Sequence, residues 1–317
     1  MANKKILISI VNYKNWDNTI KCLASLQQVT YKYFTIFIID NNSQNSSIDA
    51  ILAWIRDNHT KEKNEKGVFF KNDRISSVQF KDEKIILVET KENYGFAGAH
   101  NISMDYAVKN DFDYILLLNN DTLVKDDFIT PLLKLIESDI YVGIVGGKAL
   151  SPEDGSIVGT GGRMDWLRGF GNNIIEEEKQ DMESEVEFVS GCQMLVKREV
   201  LKTVGFLPEQ YFLYYEDVDY CFRARAKGWK IYYEPKSIIW HYESASTVRG
   251  SSSRYYYLTR ARIIFNKCYN KKFIIFAIYL SGLQFCRILK WLILGKLPYV
   301  KAAVKAQLVF LKKVKTI

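Results

Sequence analysis

The sequence predicts an α/β fold in which a mostly parallel sheet is flanked by helices. Apolar runs of strand length alternate with segments of helical periodicity from Ile6 to Val145, which is the pattern of βαβ units. Several apolar runs end in polar or acidic residues, as strands do where ligands bind at the carboxyl edge of an open sheet. Beyond residue 245 the composition changes to a basic and apolar segment.

The predicted elements follow one another in a regular order. Strands are predicted at 6–11, 34–39, 85–88, 114–118 and 142–145, and helices at 16–26, 48–55, 97–108 and 128–136. The charged stretch 56–84, with its run of charges at 61–66, predicts a solvated excursion between a helix and a strand. Residues 151–187, which include three glutamates at 176–178, predict loops over a site, and 238–240 predicts a last strand.

Length and cysteine content limit the class of protein. A chain of 317 residues can bury a large core, so either one α/β domain or a catalytic domain with an appendage is expected. The five cysteines are scattered and form no CxxC pair, which argues against a disulfide framework or a zinc site and fits a reducing cytoplasm. The apolar stretch at 6–11 is too short for a signal peptide, so we expect no export.

The charge is distributed unevenly along the chain. No Asp or Glu follows Glu243, whereas 15 Lys and Arg residues lie between Arg249 and Lys315. The net charge of +8 therefore comes from the tail, and the first 243 residues carry more acidic than basic side chains. An acidic body disfavours a nucleic-acid enzyme, and a basic tail rich in aromatic and aliphatic residues suits the anionic inner face of the cell membrane. RNA binding by the tail is the less favoured alternative.

The apolar segment 273–294 defines the second part of the chain. It is long enough to cross a bilayer, but Gln284, Arg287 and Lys290 interrupt it, and a charge at the bilayer centre is costly. We therefore expect interfacial helices on the membrane, and a cytoplasmic protein attached peripherally to its inner face. The alternative is a helix that packs on the catalytic body or on a second copy in a homodimer. The predicted domains are a catalytic domain at 1–245 and a basic amphipathic segment at 246–317.

Three predicted strands end in polar residues that would meet at one edge of the sheet. Asn12 and Tyr13 follow the first strand, the stretch 40–43 follows the second, and Asn119, Asn120 and Asp121 follow the fourth. One such end is typical of an Asx turn, but three together predict a ligand site. Asp121 would hold a divalent cation on a diphosphate, because Mg²⁺ shares its coordination between carboxylates and substrate phosphates.

A glycine-containing loop and an acidic cluster add to this edge. Residues 92–101 place Gly95 and Gly98 at a helix start, where free N–H groups bind phosphate oxygens, although a plain turn gives the same pattern. Glu216, Asp217 and Asp219 follow an aromatic stretch, where a carboxylate of raised pKa serves as a general base or acids simply complement a helix dipole. A histidine at 241 ends the last strand and is either structural or a cation ligand.

Taken in order, these residues resemble the inverting glycosyltransferases of family 2, which adopt the GT-A fold, and in particular their rhamnosyltransferase-like branch. The resemblance covers about residues 6–242. Its carriers are the stretches 11–13, 40–43, 92–98, 118–122, 190–191, 212–223 and 240–241.

The resemblance implies roles for these residues. Asp217 would be the base, Glu216 would orient it or the acceptor together with Gly191, and Asp121 and His241 would bind Mg²⁺ or Mn²⁺. Asp219 and Arg223 would stabilise the loop and helix. Asp40 would hold the nucleotide base, and the nucleotide-sugar site would comprise Asn12, Tyr13, Asp40, Asn42, Asn93, Gly95, Phe96, Gly98, Asn101, Asn119 and Asn120.

The chain departs from the family pattern at two positions. The family's DxD motif is present as Asn119–Asn120–Asp121, so its first carboxylate is absent. The tail has Ala261 between Arg260 and Arg262, where the commonest family pattern has Arg-Asn-Arg.

The function implied is transfer of a sugar with inversion, best matched by rhamnose from dTDP-rhamnose, to a hydroxyl of a lipid-linked or polysaccharide acceptor. A UDP-hexose or UDP-N-acetylhexosamine donor on the same fold is the first alternative. A nucleotidyltransferase and a non-catalytic scaffold that binds nucleotide sugars are the others. Nucleic acid is not an expected partner.

Overall fold

The computed structural model describes residues 3–58, 72–82, 84–173, 180–242 and 250–311. At its centre lie three parallel strands, β1 (Ile6–Asn12), β2 (Phe34–Asp40) and, numbered by its place in the chain, β5 (Tyr114–Asn119). The remaining strands of the same sheet are β3 (Ile75–Lys81), β4 (Ile85–Thr90), β6 (Thr122–Val124), β7 (Val142–Leu150), β8 (Ile157–Gly159), β11 (Ser184–Glu185), β12 (Gln193–Lys197) and β13 (Lys230–His241).

The sheet is mixed. Its strands run in the order β11, β13, β7, β12, β5, β1, β2, β4, β3, with β6 paired to β13 and β8 paired to β7. β4 continues the parallel centre next to β2, whereas β12 runs antiparallel between β5 and β7. A separate antiparallel pair is formed by β9 (Gly162–Asp165) and β10 (Phe170–Asn173).

Helices cover both faces of the sheet. They are α1 (Trp16–Gln27), α2 (Ser47–Asn58), α3 (Gly95–Lys109), α4 (Ile129–Ile136), α5 (Arg198–Val204), α6 (Glu216–Ala226), α7 (Ser252–Tyr269), α8 (Phe273–Ile293) and α9 (Leu297–Gln307), followed by the short 3₁₀ helix Leu308–Leu311. Ile6, Ile8 and Ile10 of β1 pack in one core cluster with residues of α1, α2 and α4. Leu7 faces the opposite cluster, formed with α3, α5, α6 and α7, as the alternation of a strand buried on both faces requires.

The predicted α/β fold is confirmed. The prediction that residues 56–84 form only a solvated excursion was wrong in part. The stretch 56–84 contains β3, which pairs antiparallel with β4 at the edge of the sheet. Its side chains are mostly half-buried, so the sequence shows only a weak alternation there. The charge run at 61–66 and the glutamates at 176–178 lie outside the described residues.

The tail packs on the core from α7 to the 3₁₀ helix, whose Val309 belongs to the same core cluster. Ala261, Ile263 and Phe265 of α7 are fully buried in the same cluster as α3 and α6. α9 packs back on α7 through Ala303 and Ala306, which are also buried. α8 buries only one side, so its other side chains are exposed. The division at residue 245 stays a prediction.

Candidate active site

The strand ends that the sequence singled out lie side by side. Asn12 is in register with Asp40 on the neighbouring strand, and Val11 is in register with Asn119 on the other side. The ends of β1, β2 and β5 therefore form one edge, as expected for parallel strands.

Asp40 is buried and held by two neighbours. Its carboxylate accepts hydrogen bonds from Asn12 Nδ2 at 2.7 Å, Ser43 Oγ at 2.6 Å and the Ser43 backbone N–H at 3.0 Å. Asn12 is fully buried and its Oδ1 accepts from Thr19 Oγ1 at 2.9 Å. Asn12 therefore acts as a positioning residue that orients Asp40, and the Thr19 and Ser43 hydroxyls are supports that the sequence did not single out.

The glycine loop is organised by Asn41. Its Nδ2 donates to Asn93 Oδ1 at 3.0 Å and to the Gly95 carbonyl at 3.1 Å, and its Oδ1 accepts from the Tyr94 N–H at 3.0 Å. Asn93 Oδ1 also accepts from the Gly95 N–H at 2.9 Å. Asn41 has no individual role in the expected nucleotide-sugar site, although its place in the 40–43 stretch is a signal for such capping bonds.

Gly95 is required by backbone geometry. Its φ is +69°, and a Cβ there would collide with the Phe212 carbonyl oxygen, which accepts the Phe96 N–H at 3.0 Å. This contact joins the glycine loop to the segment that precedes Asp217. The predicted nucleotide-sugar loop and the predicted base are therefore connected by one backbone hydrogen bond.

Two residues of α3 that were predicted to bind the nucleotide sugar, Asn101 and Gly98, instead contact that segment directly or through Arg74. The Asn101 amide bonds the Leu207 carbonyl and N–H, each at 2.9 Å, and reaches Glu209 at 2.8 Å. The Gly98 carbonyl accepts from Arg74, which forms a two-pronged ion pair with Glu209 at 2.7 and 3.0 Å. These contacts favour a structural role for Asn101 over the predicted donor contact. The Arg74–Glu209 ion pair joins the segment before β3 to the segment before α6. The sequence did not indicate this pair, because its two residues are 135 positions apart.

Tyr13 and Asn42 lie at the more open part of the edge. Tyr13 is half-buried with the Lys14 ammonium 5.2 Å from its ring centre. Asn42 has φ of +58° and donates to the Lys91 carbonyl at 3.3 Å. Both remain accessible to a ligand at this edge.

The predicted cation ligands meet where β6 pairs with β13. His241 Nε2 lies 3.1 Å from Asp121 Oδ1 and 3.1 Å from Asn119 Nδ2. Asn120 is turned inward, because its Nδ2 donates to Thr19 Oγ1 at 3.0 Å and to the Asn15 carbonyl at 3.3 Å. Among the described residues no group of three or more His, Cys, Asp or Glu side chains gathers as a metal site. One carboxylate and one imidazole suit a cation only if substrate oxygens complete its coordination.

Asp217 is oriented by backbone donors at the start of α6. The Gly191 N–H donates to its Oδ2 at 2.9 Å and the Val218 N–H donates to its Oδ1 at 2.8 Å. Burial raises the pKa of Asp217, while these N–H groups oppose the rise by stabilising the anion. Asp217 is half-buried, so it combines a fixed orientation with access for a substrate hydroxyl. Gly191 thus contacts the predicted base directly, which is compatible with the predicted acceptor site.

Glu216 differs from its neighbour in burial and partners. It is 5% exposed, and its Oε2 has no hydrogen-bond partner within the described part of the chain. Burial and, after it, the nearby charge of Asp217 raise the pKa of Glu216 well above its usual value. Of the two carboxyl groups, Glu216 therefore holds its proton the more tightly.

The loop before α6 is strained and is held from several sides. Phe212, Tyr214 and Tyr215 have φ of +67°, +70° and +68°, a region that such residues adopt rarely. Arg260 of α7 donates to the carbonyls of Gln210 at 2.8 Å and Tyr211 at 2.9 Å. These bonds show that the tail supports the loop, a contact that no local pattern predicted.

The two residues expected to stabilise this region do so. Asp219 accepts from Tyr211 OH at 2.6 Å and from Tyr269 OH of α7 at 3.0 Å. Arg223 donates to the carbonyls of Val204 at 2.9 Å and Phe206 at 3.2 Å. Asp219 and Arg223 therefore anchor α6 to its surroundings.

A family profile described as "Glycosyltransferase like family 2" matches residues 60–262, more than half of the 317-residue chain. The chain belongs to this family. It is therefore a glycosyltransferase of family 2, and this assignment favours the glycosyltransferase prediction over the nucleotidyltransferase and scaffold alternatives.

Curated relatives point to the rhamnosyltransferase-like branch of the family. The rhamnosyltransferase WbbL of Escherichia coli K12 is 28% identical over 198 residues, which cover 56% of this chain and 75% of WbbL. The N-acetylglucosaminyl-diphospho-decaprenol L-rhamnosyltransferase of Mycobacterium tuberculosis is 28% identical over 156 residues, 44% of this chain. The match spans only 50% of that relative's length.

A solved structure supports the fold assignment of this family 2 glycosyltransferase. The crystal structure of GalNAc-T7 with UDP, GalNAc and Mn²⁺ superposes with a TM-score of 0.64 at 15% identity. The superposition covers 89% of this chain and 51% of the GalNAc-T7 chain. The mixed sheet flanked by helices is thus a GT-A fold, as the resemblance implied.

Proposed function

We propose that this glycosyltransferase moves rhamnose from dTDP-rhamnose to a hydroxyl of a lipid-linked or polysaccharide acceptor, with inversion at the anomeric carbon. The observation that carries the proposal is the half-buried Asp217 carboxylate, which two backbone N–H groups fix next to the glycine loop. The names of the two relatives support the donor, and the mycobacterial name supports an acceptor sugar carried on a diphosphate lipid.

The chemistry is a single displacement. Asp217 takes the proton of the acceptor hydroxyl while the oxygen attacks the anomeric carbon. The bond from that carbon to the diphosphate oxygen breaks, and its electron pair leaves with the nucleoside diphosphate. Glu216, being protonated, adds no second negative charge beside the attacking oxygen and donates a hydrogen bond instead. Asp40 and the Asn93 loop hold the nucleoside part at the sheet edge.

A divalent cation, Mg²⁺ or Mn²⁺, fits the donor set of Asp121 and His241 with the diphosphate completing it. Mn²⁺ in the GalNAc-T7 structure supports this proposal. When bound, the cation would neutralise the charge that develops on the leaving diphosphate. Asp121 would supply the anionic ligand, and His241, whose Nε2 lies 3.1 Å from that carboxylate, would supply the neutral one.

A UDP-hexose or UDP-N-acetylhexosamine donor is the second candidate. The UDP in the GalNAc-T7 structure favours it, although that neighbour shares only 15% identity. The mechanism would be the same, and only the contacts to the base and sugar would change.

The experiment that tests the function is a calorimetric titration of the full chain with dTDP-, UDP- and GDP-sugars, in Mn²⁺ and again in EDTA. We expect saturable binding of dTDP-rhamnose that requires the cation. Preference for a UDP-sugar would select the second candidate. Absence of binding for every nucleotide sugar would contradict the proposal.

We also propose that the protein binds the cytoplasmic membrane face through α8. By length and composition α8 is the one helix of the described residues that is apolar enough to cross a bilayer. Both of its ends rest on other tail elements, however, since Phe273 packs on Phe310 of the 3₁₀ helix and Trp291 on Tyr255 of α7, with 6.0 and 4.8 Å between ring centres. A helix held at both ends along one side suits a position in the plane of the membrane.

The exposed side of α8 has the character of a membrane-binding surface. It displays apolar side chains over about 28 Å, at 1.5 Å per helical residue, including Ile274 (73% exposed), Ile278 (71%), Phe285 (63%) and Ile293 (85%). Exposed lysines lie on or near α8 and on α9, namely Lys271, Lys272, Lys290, Lys296, Lys301 and Lys305. No acidic residue follows Glu243 to oppose their attraction to anionic lipids.

An Ile278→Glu substitution is expected to weaken vesicle binding by about 10-fold or more, because each buried aliphatic side chain contributes about 1.5–3 kcal/mol. Co-sedimentation would use phosphatidylcholine vesicles with and without phosphatidylglycerol. The matched control is Ile140→Glu, since Ile140 is 74% exposed in the turn before β7. Equal binding by both variants would contradict the proposal, and a dimer that Ile278→Glu dissociates would identify a second copy as the partner.

A further inference from the structure

The tail lies directly against the loop that carries the predicted base. Tyr257 of α7 stacks on Phe212, with 5.2 Å between ring centres, and the Arg254 guanidinium lies 6.0 Å from the Tyr214 ring. Tyr214 and Tyr215 immediately precede Glu216 and Asp217. The tail therefore packs against the loop that leads directly into the predicted base.

Arg262 of α7 has no carboxylate partner among the described residues. It reaches the same loop through the 168–169 turn, because the Tyr215 hydroxyl donates to the Gly169 carbonyl at 3.1 Å, next to the carbonyl that Arg262 uses. Its guanidinium lies 5.5 Å from the Phe170 ring and 5.6 Å from the Phe276 ring, and it donates to the Arg168 carbonyl. Its Nε is buried with no hydrogen-bond partner among the described residues. Asp165, in the same turn as Arg168, is used by the Leu167 and Arg168 N–H groups and pairs with Arg168 itself.

Arg287 of α8 adds a second cation. Its guanidinium lies 5.8 Å from the Tyr255 ring and its Nη1 is 3.5 Å from the Tyr255 hydroxyl. That hydroxyl donates to Gln284 Oε1, and Gln284 is fully buried with its Nε2 lacking a partner in the described ranges. Arg262 Nε and Gln284 Nε2 are therefore two buried donors for which the described residues supply no acceptor.

The electrostatics agree with this count. Burial lowers the pKa of Arg262, and the neighbouring charge of Arg287 lowers it further. The groups that oppose this lowering are the hydroxyls of Tyr215, Tyr255 and Tyr279, and none of them is a carboxylate. Within the described residues neither Arg262 nor Arg287 takes part in an ion pair. Two arginines that repel each other without an anion destabilise the protein unless a ligand supplies the negative charge.

We infer that Arg262 and Arg287, here called the tail arginines, form a binding site for the phosphate groups of the acceptor. The inference rests on the proposed function, since it places a diphosphate next to the acceptor sugar on the side of Asp217. Planar guanidinium groups bind phosphate oxygens through paired hydrogen bonds, which a lysine does not match. The lipid chain of such an acceptor would run towards the membrane that the exposed side of α8 contacts.

The donor diphosphate is the other source of the same chemistry. In the proposed function the donor is instead held at the sheet edge that Asp40, Asn93 and Asp121 line. Within the described part of the chain, the hydrogen bonds of Arg262 and Arg287 go to the Arg168 carbonyl and the Tyr255 hydroxyl, and none reaches Asp40 or Asn93. The acceptor phosphates are therefore the better match for the tail arginines.

The test is calorimetric titration of the full chain with geranyl diphosphate in EDTA, where a cation cannot hold phosphate at Asp121. We expect saturable binding that weakens with salt and that Arg287→Gln weakens about 10- to 100-fold, the loss typical of a charge-assisted hydrogen bond. Arg262→Lys should show a smaller loss, because it keeps the charge but not the planar fork. Thermal melting checks that both variants remain folded.

Two controls distinguish the outcomes. Lys301→Gln removes an exposed charge of α9 and should leave binding unchanged, and geraniol, which lacks phosphate, should bind at least 10-fold more weakly. Equal affinity of Arg287→Gln and the wild type would overturn the inference, as would loss of binding in Asp121→Asn. Because no sugar transfer is measured, failure here is separate from failure of the proposed donor.

Discussion

Asp217→Asn is expected to lower turnover by about 10²- to 10⁴-fold, the usual contribution of a general base, while donor affinity stays within about 3-fold. Asparagine keeps the shape of the side chain and accepts a hydrogen bond from Gly191 or Val218, but it cannot take a proton. The loss falls on kcat because the proton transfer is made only in the transition state.

The comparison variant is Glu216→Gln. A protonated Glu216 resembles glutamine in charge and shape, so this variant should lose no more than about 10-fold, well below the loss expected for the base. Coupled release of nucleoside diphosphate would measure turnover, and calorimetry would measure donor binding. A larger loss in Glu216→Gln than in Asp217→Asn would reverse the roles of the two carboxyl groups.

The pH profile provides an independent check on the same carboxylate. Burial raises the pKa of Asp217, and the base is active only when ionised. The wild-type rate should therefore fall as the pH drops through this raised pKa, and this acidic limb should be absent from the residual rate of Asp217→Asn. An unchanged acidic limb in the variant would assign it to another group.

The strands, and the edge at which β1, β2 and β5 end, were predictable because the sequence patterns that indicate them are local. Buried strands such as 6–12 show as short apolar runs, and the parallel order of the first strands fixes where their polar ends meet. β3 was not predictable in the same way, because an edge strand buries too little of its surface to show alternation.

The side-chain contacts that join distant segments could not be predicted from the sequence. The Arg74–Glu209 ion pair spans 135 residues, and Arg260 reaches a loop about 50 residues earlier in the chain. Neither shows a periodicity, because each depends on how the tail and the β3 edge fold against α3 and α6. The loop before α6 is held by these long-range contacts. Its strained backbone at Phe212, Tyr214 and Tyr215 was therefore not predictable from local sequence either.

The second large effect is expected at the proposed cation site, where the sequence lacks the first carboxylate of the family's DxD motif. Asp121→Asn should weaken cation-dependent donor binding by at least about 100-fold, because even indirect supports of a metal ligand are worth about 10- to 100-fold. Binding of the same donor in EDTA should hardly change. Mn²⁺ titration followed by electron paramagnetic resonance, with the nucleoside diphosphate present, measures the cation directly.

Asn119→Asp is the informative partner of this variant, since it restores the carboxylate that the family pattern has at position 119. Asn119 Nδ2 lies 3.1 Å from His241 Nε2, so the new carboxylate would sit against the proposed imidazole ligand and raise the local negative charge. Mn²⁺ affinity should therefore rise by about 10-fold, given that opposite charges at about 4 Å interact by roughly 1–4 kcal/mol. Unchanged cation affinity in both variants would place the cation elsewhere. If Asn119→Asp raises the Mn²⁺ affinity and Asp121→Asn lowers it, the single carboxylate of the wild type forms a weak but functional cation site. The substrate diphosphate would then contribute the negative charge that the missing aspartate provides in the family pattern.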